Sequence, residues 1–248
     1  MGRVDISSIA LRSLAELLII IVGILVALAT DDWWGVRQDR AEEIQILQFM
    51  QDDVKATLNL LSGTQRRVET DRQSLLTLSR GSSGEAGGLD PDGIAALLHS
   101  LWDVPPLTLQ MTTQKELQGS DRLRVISDAN MRRSLAHFQQ TYDFAGQSYL
   151  DAFQYQQLKL DVYIAANVQL SQISAYAFAH DAGDSPELLQ PLQPLKDHRV
   201  LLDDPLFQNH VAAKYFLLTY YQQQIIELKE VLSELNEEIN NRYVLLTQ

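Results

Sequence analysis

Apolar and polar positions divide this chain into one unbroken apolar run and three long stretches in which apolar residues return every three or four positions. The run is Leu17 to Ala29, thirteen residues reading LLIIIVGILVALA, and Thr30, Asp31, Asp32 and the pair Trp33, Trp34 follow it at once. A helix needs about 20 residues to cross a hydrocarbon layer of roughly 30 Å. Extended back to Ile9, the run is long enough, but it then encloses Arg12 and Glu16. These two are four apart, so they share a helix face and can pair, and both can reach toward the headgroups. Trp33 and Trp34 fall at the opposite interface, where indoles collect. The spacing predicts a membrane anchor over residues 1–34. A cleaved signal peptide is the competing reading, with Ala27 and Ala29 as a small-x-small site; the helical sequence continuing past them favours the anchor. Gly23 and Ala27 form a small-xxx-small pair through which two membrane helices can approach.

Beyond the anchor, Ile44, Leu47, Val54, Leu58, Leu61, Val68 and Leu75 keep a three-four spacing to about Ser79, with Gln51, Gln65 and Arg72 at the polar gaps in the seam. The stretch from Arg80 to Gly93 holds five glycines and a proline and reads as a flexible linker. It lacks the Lys and Ser or Thr of a phosphate-binding loop. A short helix from Gly93 to Trp102 follows, with Asp92 as its cap, and Pro105 and Pro106 end it. Leu107 to Met111 reads as extended, and Thr113 with Glu116 as a capping box.

Asp128 caps a second long helix expected to run from Ala129 to about Ala179. Its apolar face is aromatic: Leu135, Phe138, Tyr142, Tyr149, Phe153, Leu160 and Tyr163. Such a face packs a core or lines a ligand pocket, and core packing is the commoner use. The segment 180–204 is a proline-containing loop. Its His180, Asp181, Asp184 and Glu187 are metal-ligand types without the spacing of a known site. Asp204 followed by Pro205 opens a third long helix, to about Leu246, with Leu218, Tyr221, Ile225, Leu228, Leu232, Leu235 and Ile239 as its seam. Its other face carries Glu227, Glu230, Glu234, Glu237 and Glu238, a solvated side.

Three stretches of similar length, each roughly 60 to 75 Å as helix, bury their seams together. The expected fold is all-α: an N-terminal transmembrane helix continuous with an elongated bundle of three long helices, residues 35–248. The short helices and the Pro-Pro segment are expected at its distal end.

Charge places the acidic excess outside the membrane. The net charge is −12, while Arg3 and Arg12 cancel Asp5 and Glu16 within the first thirty residues. Such a surface repels phosphate backbones, so nucleic acid is not an expected partner. With no cysteine, disulfides, thiolate metal sites and cysteine nucleophiles are excluded. Neither a Gly-x-Ser-x-Gly elbow nor a catalytic partner for His198 at motif spacing occurs, and no cofactor is implied. Positive residues are balanced across the anchor, Arg3 and Arg12 against Arg37 and Arg40. The short leading end and the acidic body favour an inside N-terminus and, in a Gram-negative bacterium, a periplasmic body.

Glu16-Leu17, then Ile24-Leu25-Val26-Ala27-Leu28 and Trp33, resemble the start of domain-of-unknown-function family 6090, uncharacterised bacterial proteins with one N-terminal membrane helix. Weaker similarity continues at Gly119-Ser120-Asp121-Arg122-Leu123, Ile126-Ser127-Asp128 and Phe207-Gln208-Asn209. The chain departs from the family pattern at Asp31 and Asp32, where asparagines are usual, at Ala29 for a glutamine, and in a less basic leader. The resemblance implies an anchor and a helical body, and no chemistry.

Three functions fit these patterns. One is a non-enzymatic scaffold or accessory subunit of the bacterial inner membrane, self-associating or bound to a membrane-protein partner. The second is a periplasmic ligand-sensing module acting through a partner. The third is a helper in ion or proton movement resting on Glu16.

Overall fold

The computed structural model describes residues 6–120, 122–173 and 196–248, the side chains of 6–17, 19 and 122 excepted. The side chains of Arg12 and Glu16, and His180, Asp181, Asp184 and Glu187 altogether, lie outside the described residues. Among the described residues every regular element is helical. They are α1 (Ile6–Ser79), α2 (Pro91–His99), α3 (Thr112–Gly119), α4 (Ala129–Tyr155), α5 (Asp161–Asn167) and α6 (Pro205–Thr247). Single 3-10 turns occupy Glu85–Gly88, Arg122–Val125 and His198–Leu201.

α1 is a single helix from the apolar run into the body, as the absence of proline through Ser79 predicts. α6 lies against it over almost the whole body. Arg40 donates to the Leu246 carbonyl, Gln48 to the Tyr243 hydroxyl, Lys229 to the Gln65 side chain, Arg72 to the Thr219 hydroxyl and Gln208 to the Leu78 carbonyl. These pairs step in opposite directions, so the two helices run antiparallel in constant register for about 57 Å. α6 also packs along α4 and α5, where Tyr149 of α4 meets Tyr221 at 5.9 Å and Tyr163 of α5 meets Phe207 at 6.2 Å between ring centroids. It is therefore the central rod, with α1 on one side and the α4–α5 rod on the other. Asp204 opens α6 as expected, accepting from the Leu206 N–H with Pro205 in the first turn.

Seam residues Leu47, Val54, Leu61, Val68 and Leu75 of α1 and Leu218, Ile225, Leu228, Leu232, Leu235 and Ile239 of α6 are buried. Ile44 and Leu58 are only half-buried, at the rim. Met50, Thr57 and Leu78 hold core positions that the apolar spacing had not marked.

The second rod is broken before its expected end near Ala179; residues 170–173 are helical again, and 174–179 lie outside the described residues. α4 passes through a π-helical turn, Gln156–Leu160, into α5, which stops at Asn167 rather than near Ala179. At Val168 the backbone turns extended (φ −114°, ψ 144°), and the Gln169 N–H donates to Nε2 of the buried His198 at 2.9 Å. A side chain from elsewhere ends the helix, so no local proline or glycine signals it. The core stripe in the middle of α4 is also not aromatic. Thr141, Ala145, Ser148 and Ala152 are buried, while Tyr142, Tyr149 and Phe153 flank them half-buried.

The distal end carries the glycine-rich turn and α2. Gly81 has φ +66°, a left-handed conformation that suits glycine, and Asp203 accepts from the Ser82 hydroxyl at 2.7 Å. The cap of α2 is Asp90, which accepts from the Gly93 N–H at 2.8 Å; Pro91 follows it, and Asp92 lies within the first turn.

The Pro-Pro segment departs from expectation most. Instead of staying at the distal end, residues 101–127 run back along α1 as a strap in the place of a fourth helix. Asp103 pairs with Arg67 at 3.2 Å, Pro106 accepts from Thr64 at 3.3 Å, and Thr57 bonds both the N–H and the carbonyl of Gln110 at 3.0 Å. Further on, the Thr113 N–H donates to Asp53 at 2.8 Å, and Ser127 reaches Glu43. Proline cannot sustain a helix, yet an extended strand spans the same length with fewer residues, so the strap returns α4 to the proximal end. Thr113 and Glu116 do not form a capping box: α3 begins after Met111 with no cap of its own, and Asp53 of α1 caps it in trans.

Replacing Asp53 by Ala should therefore lower stability by about 1 kcal/mol, the usual worth of an N-cap, and Glu116→Ala should change it by less than about 0.5. Urea midpoints of the detergent-solubilised chain would show the reverse order if the local box were formed.

Candidate functional site

Polar clusters sit at the proximal end and in the distal third of the body, and of their members the apolar pattern marked Arg72 as a gap in the seam. At the proximal end Glu43 is buried. Its carboxylate accepts from Arg242 (Nε, 3.1 Å; Nη2, 3.3 Å) and from the Ser127 N–H and hydroxyl (3.3 and 2.9 Å). One ion pair thus joins α1, the strap and α6. In the distal third, Arg72 reaches Glu69, Gln222, Thr219 and Tyr215, and its guanidinium lies 5.1 Å from the Tyr215 ring centroid. The hydrogen bonds of Gln73, Gln222 and Arg72 hold the Glu69 carboxyl below its ordinary pKa.

The third cluster centres on Lys214, fully buried where Val211, Leu218 and Tyr221 set an apolar rhythm. Its ammonium donates to the Asp103 carbonyl at 2.9 Å and to the side-chain oxygen of Gln156. Gln156 is itself buried at the start of the π-turn and donates to Asp161. Just beyond, Tyr221 donates to the Pro105 carbonyl at 3.1 Å, and burial raises its pKa. Desolvation brings the Lys214 pKa down from 10.5 to about 8, against the attraction of Asp71, Asp103 and Asp161. A desolvated lysine can serve as a nucleophile or base. Here it faces a backbone carbonyl and an amide, and two surface grooves of about 440 Å³ each are lined by other residues. Its structural role is to bolt the strap and the π-turn to α6.

Toward the distal end, Tyr155 and His210 share a 2.9 Å hydrogen bond, and Tyr163 donates to Asp204 at 2.6 Å. Burial lowers the His210 pKa and raises that of Tyr163, so both stay neutral near neutral pH. The aromatic face of α4 is thus spent on packing and on these bonds. No group of three or more potential metal ligands occurs among the described residues.

The apolar stretch of α1 stands free of the body. Leu18, Ile20, Ile21, Val22, Ile24, Leu25, Val26 and Leu28 are all exposed, Leu18 at 55 % and Leu25 at 59 %, and a Cβ added at Gly23 would meet nothing within 4 Å. Trp33 and Trp34 are exposed below the body with centroids 6.4 Å apart, and the Arg37 guanidinium lies 5.5 Å from the Trp33 ring. Among the described residues no helix is long and apolar enough to cross a membrane. No protein-family profile, no curated protein and no solved structure matches this chain.

Of the polar clusters, only Gln65 and Arg72 were visible as gaps in a seam. Lys214 was legible in principle, because it falls where the spacing Val211, Leu218, Tyr221 calls for an apolar residue. Glu43 and Thr57 carry no such signal, because what selects them is the strap.

Two outcomes follow from the buried charges. Between pH 8 and 10.5 the unfolded chain holds a proton on Lys214 that the folded chain has released, so this group adds stability as pH rises through that window. Relative to Lys214→Met, the native chain should gain about 2 kcal/mol in urea unfolding free energy between pH 7.5 and 9.5; parallel pH profiles would contradict it. Arg242→Met strands the Glu43 carboxylate and should cost about 3 kcal/mol in the same assay, against less than about 0.5 for Arg133→Met on an exposed face.

Proposed function

We propose that this chain is a single-pass membrane protein whose anchor, residues 1–34, holds an elongated helical scaffold or accessory subunit at the surface of a bacterial inner membrane. The observation that carries the reading is an apolar helix surface, exposed on every side from Leu18 to Leu28, with nothing of the body packed on it. Water penalises a surface of this extent: fully burying one such side chain is worth about 1.5 to 3 kcal/mol. Lipid covers it uniformly, and the residues before Leu18 extend the run to the length a bilayer needs. Trp33 and Trp34 stand where an interfacial pair belongs. The resemblance at Glu16-Leu17 and Ile24 to Leu28 implies the same arrangement.

The body is read as non-enzymatic because the clusters around Glu43, Arg72 and Lys214 are engaged with their neighbours and with the strap. It also covers its own seams, so a second copy or a membrane-protein partner would be met through Gly23 and Ala27 or through the outer faces. The acidic body is read as periplasmic, with the N-terminal side of the anchor cytoplasmic.

The full chain should stay in the membrane pellet after alkaline carbonate extraction, and Ile21→Asp with Leu25→Asp should shift it to the supernatant. Because the chain lacks cysteine, Ser233→Cys on an exposed turn of α6 reports sidedness: an impermeant maleimide should label it in intact spheroplasts. Native protein in the carbonate supernatant would end the anchor reading, and labelling only after lysis would reverse the orientation.

A further inference from the structure

α6 covers one face of α1 from Leu78 down to Arg40, and below that level the same face continues uncovered. Val26, Ala29, Trp33, Arg37, Arg40 and Ile44 follow one another at intervals of three or four, so they form a single stripe. Where α6 leaves this stripe there is a groove of about 440 Å³, lined by Trp33, Val36, Arg37, Arg40, Ala41 and Ile44. Two of those six side chains are guanidiniums, and they differ. Arg40 is held in place, donating through Nε and Nη2 to the Leu246 carbonyl at 2.9 and 2.6 Å. Arg37 lies over the Trp33 ring, back along the helix toward the apolar run, as helical side chains lean toward the N-terminus.

We infer that this groove is a phospholipid site, in which Arg37 and Arg40 take the phosphodiester and one acyl chain lies along Trp33, Ala29 and Val26. The inference rests on the anchor reading. Trp33 is about 6 Å beyond Ala29 along the helix, within the roughly 5 to 8 Å that headgroups occupy on each side of a bilayer. A guanidinium leaning back to the indole is therefore at phosphate depth. Planar forked donors match phosphate oxygens, and the indole beneath offers its face to the glycerol and upper acyl chain. Asp32 and Asp39 flank the stripe on the Val36 side, which disfavours lipids of high negative charge and suits a zwitterionic headgroup, whose ammonium they can meet. A free phosphate would find the same two arginines without the apolar floor.

The test uses the full chain purified in mild detergent, with phosphatidylethanolamine added and retained lipid read by native mass spectrometry. Native protein should keep one phosphatidylethanolamine through washing. Arg37→Gln should lower that occupancy at least fivefold, and Trp33→Ala should lower it as well. Both variants should still resist carbonate extraction, so loss of the lipid is read separately from loss of the anchor. Arg37 is exposed, with its guanidinium over the Trp33 ring one turn back, which keeps folding out of the comparison. Equal occupancy in native and Arg37→Gln protein would overturn the site. Displacement of the lipid by millimolar inorganic phosphate would reassign it to a free anion, and retention of phosphatidylglycerol over phosphatidylethanolamine would overturn the headgroup assignment.

Discussion

A stretch of backbone without helix or sheet, laid along a helical bundle, must find hydrogen bonds in its neighbours or in water. Residues 103–110 are that stretch, touching the core through Val104 and Pro105, and two buried polar side chains, Thr57 and Lys214, serve it directly. Lys214 bonds the Asp103 carbonyl, Tyr221 that of Pro105, Thr64 that of Pro106, and Thr57 both backbone groups of Gln110. An unmet buried carbonyl or N–H costs about 1 to 3 kcal/mol, so Lys214, Tyr221 and Thr57, whose bonds to the strap are shielded from water, are held by it as well as by their own helices, while the Thr64 bond is exposed. The arrangement explains why a lysine is tolerated where a leucine would keep the rhythm. Its desolvation opposes folding at neutral pH by about 3 kcal/mol, and an uncapped carbonyl beside a buried amide would forfeit much of any gain from removing it.

The strap also sets the topology. Three rods connected only by tight turns would alternate up and down. Here α1 and the α4–α5 rod both point away from the proximal end, and only α6 returns. A crossover the length of the body is required, and two prolines make it an extended one. α6 then becomes the rod that touches both others, consistent with the unbroken apolar spacing of its seam.

What the sequence made legible follows from this division. Rods stabilised by their own periodicity were readable: α1 to Ser79, the opening of α4 at Asp128 and all of α6 from its Asp204-Pro205 start. Features fixed by contact between distant segments were not. The end of α5 at Asn167 depends on His198, the cap of α3 is Asp53 from another helix, and the small stripe of Thr141, Ala145, Ser148 and Ala152 was overshadowed by neighbouring aromatics. The proximal charge cluster was hidden for the same reason. Glu43 and Arg242 are 199 residues apart, and each alone reads as an ordinary surface charge.

Because α1 passes from the apolar run into the body without a break, the two are locked in rotational phase as well as in position. One residue added or removed between Thr30 and Arg40 would swing everything outside by about 100° around the helix axis and shift it by about 1.5 Å. Whatever the apolar run meets thereby dictates which side of the projecting body faces a neighbour, as the keyway of a shaft dictates the angle of its wheel.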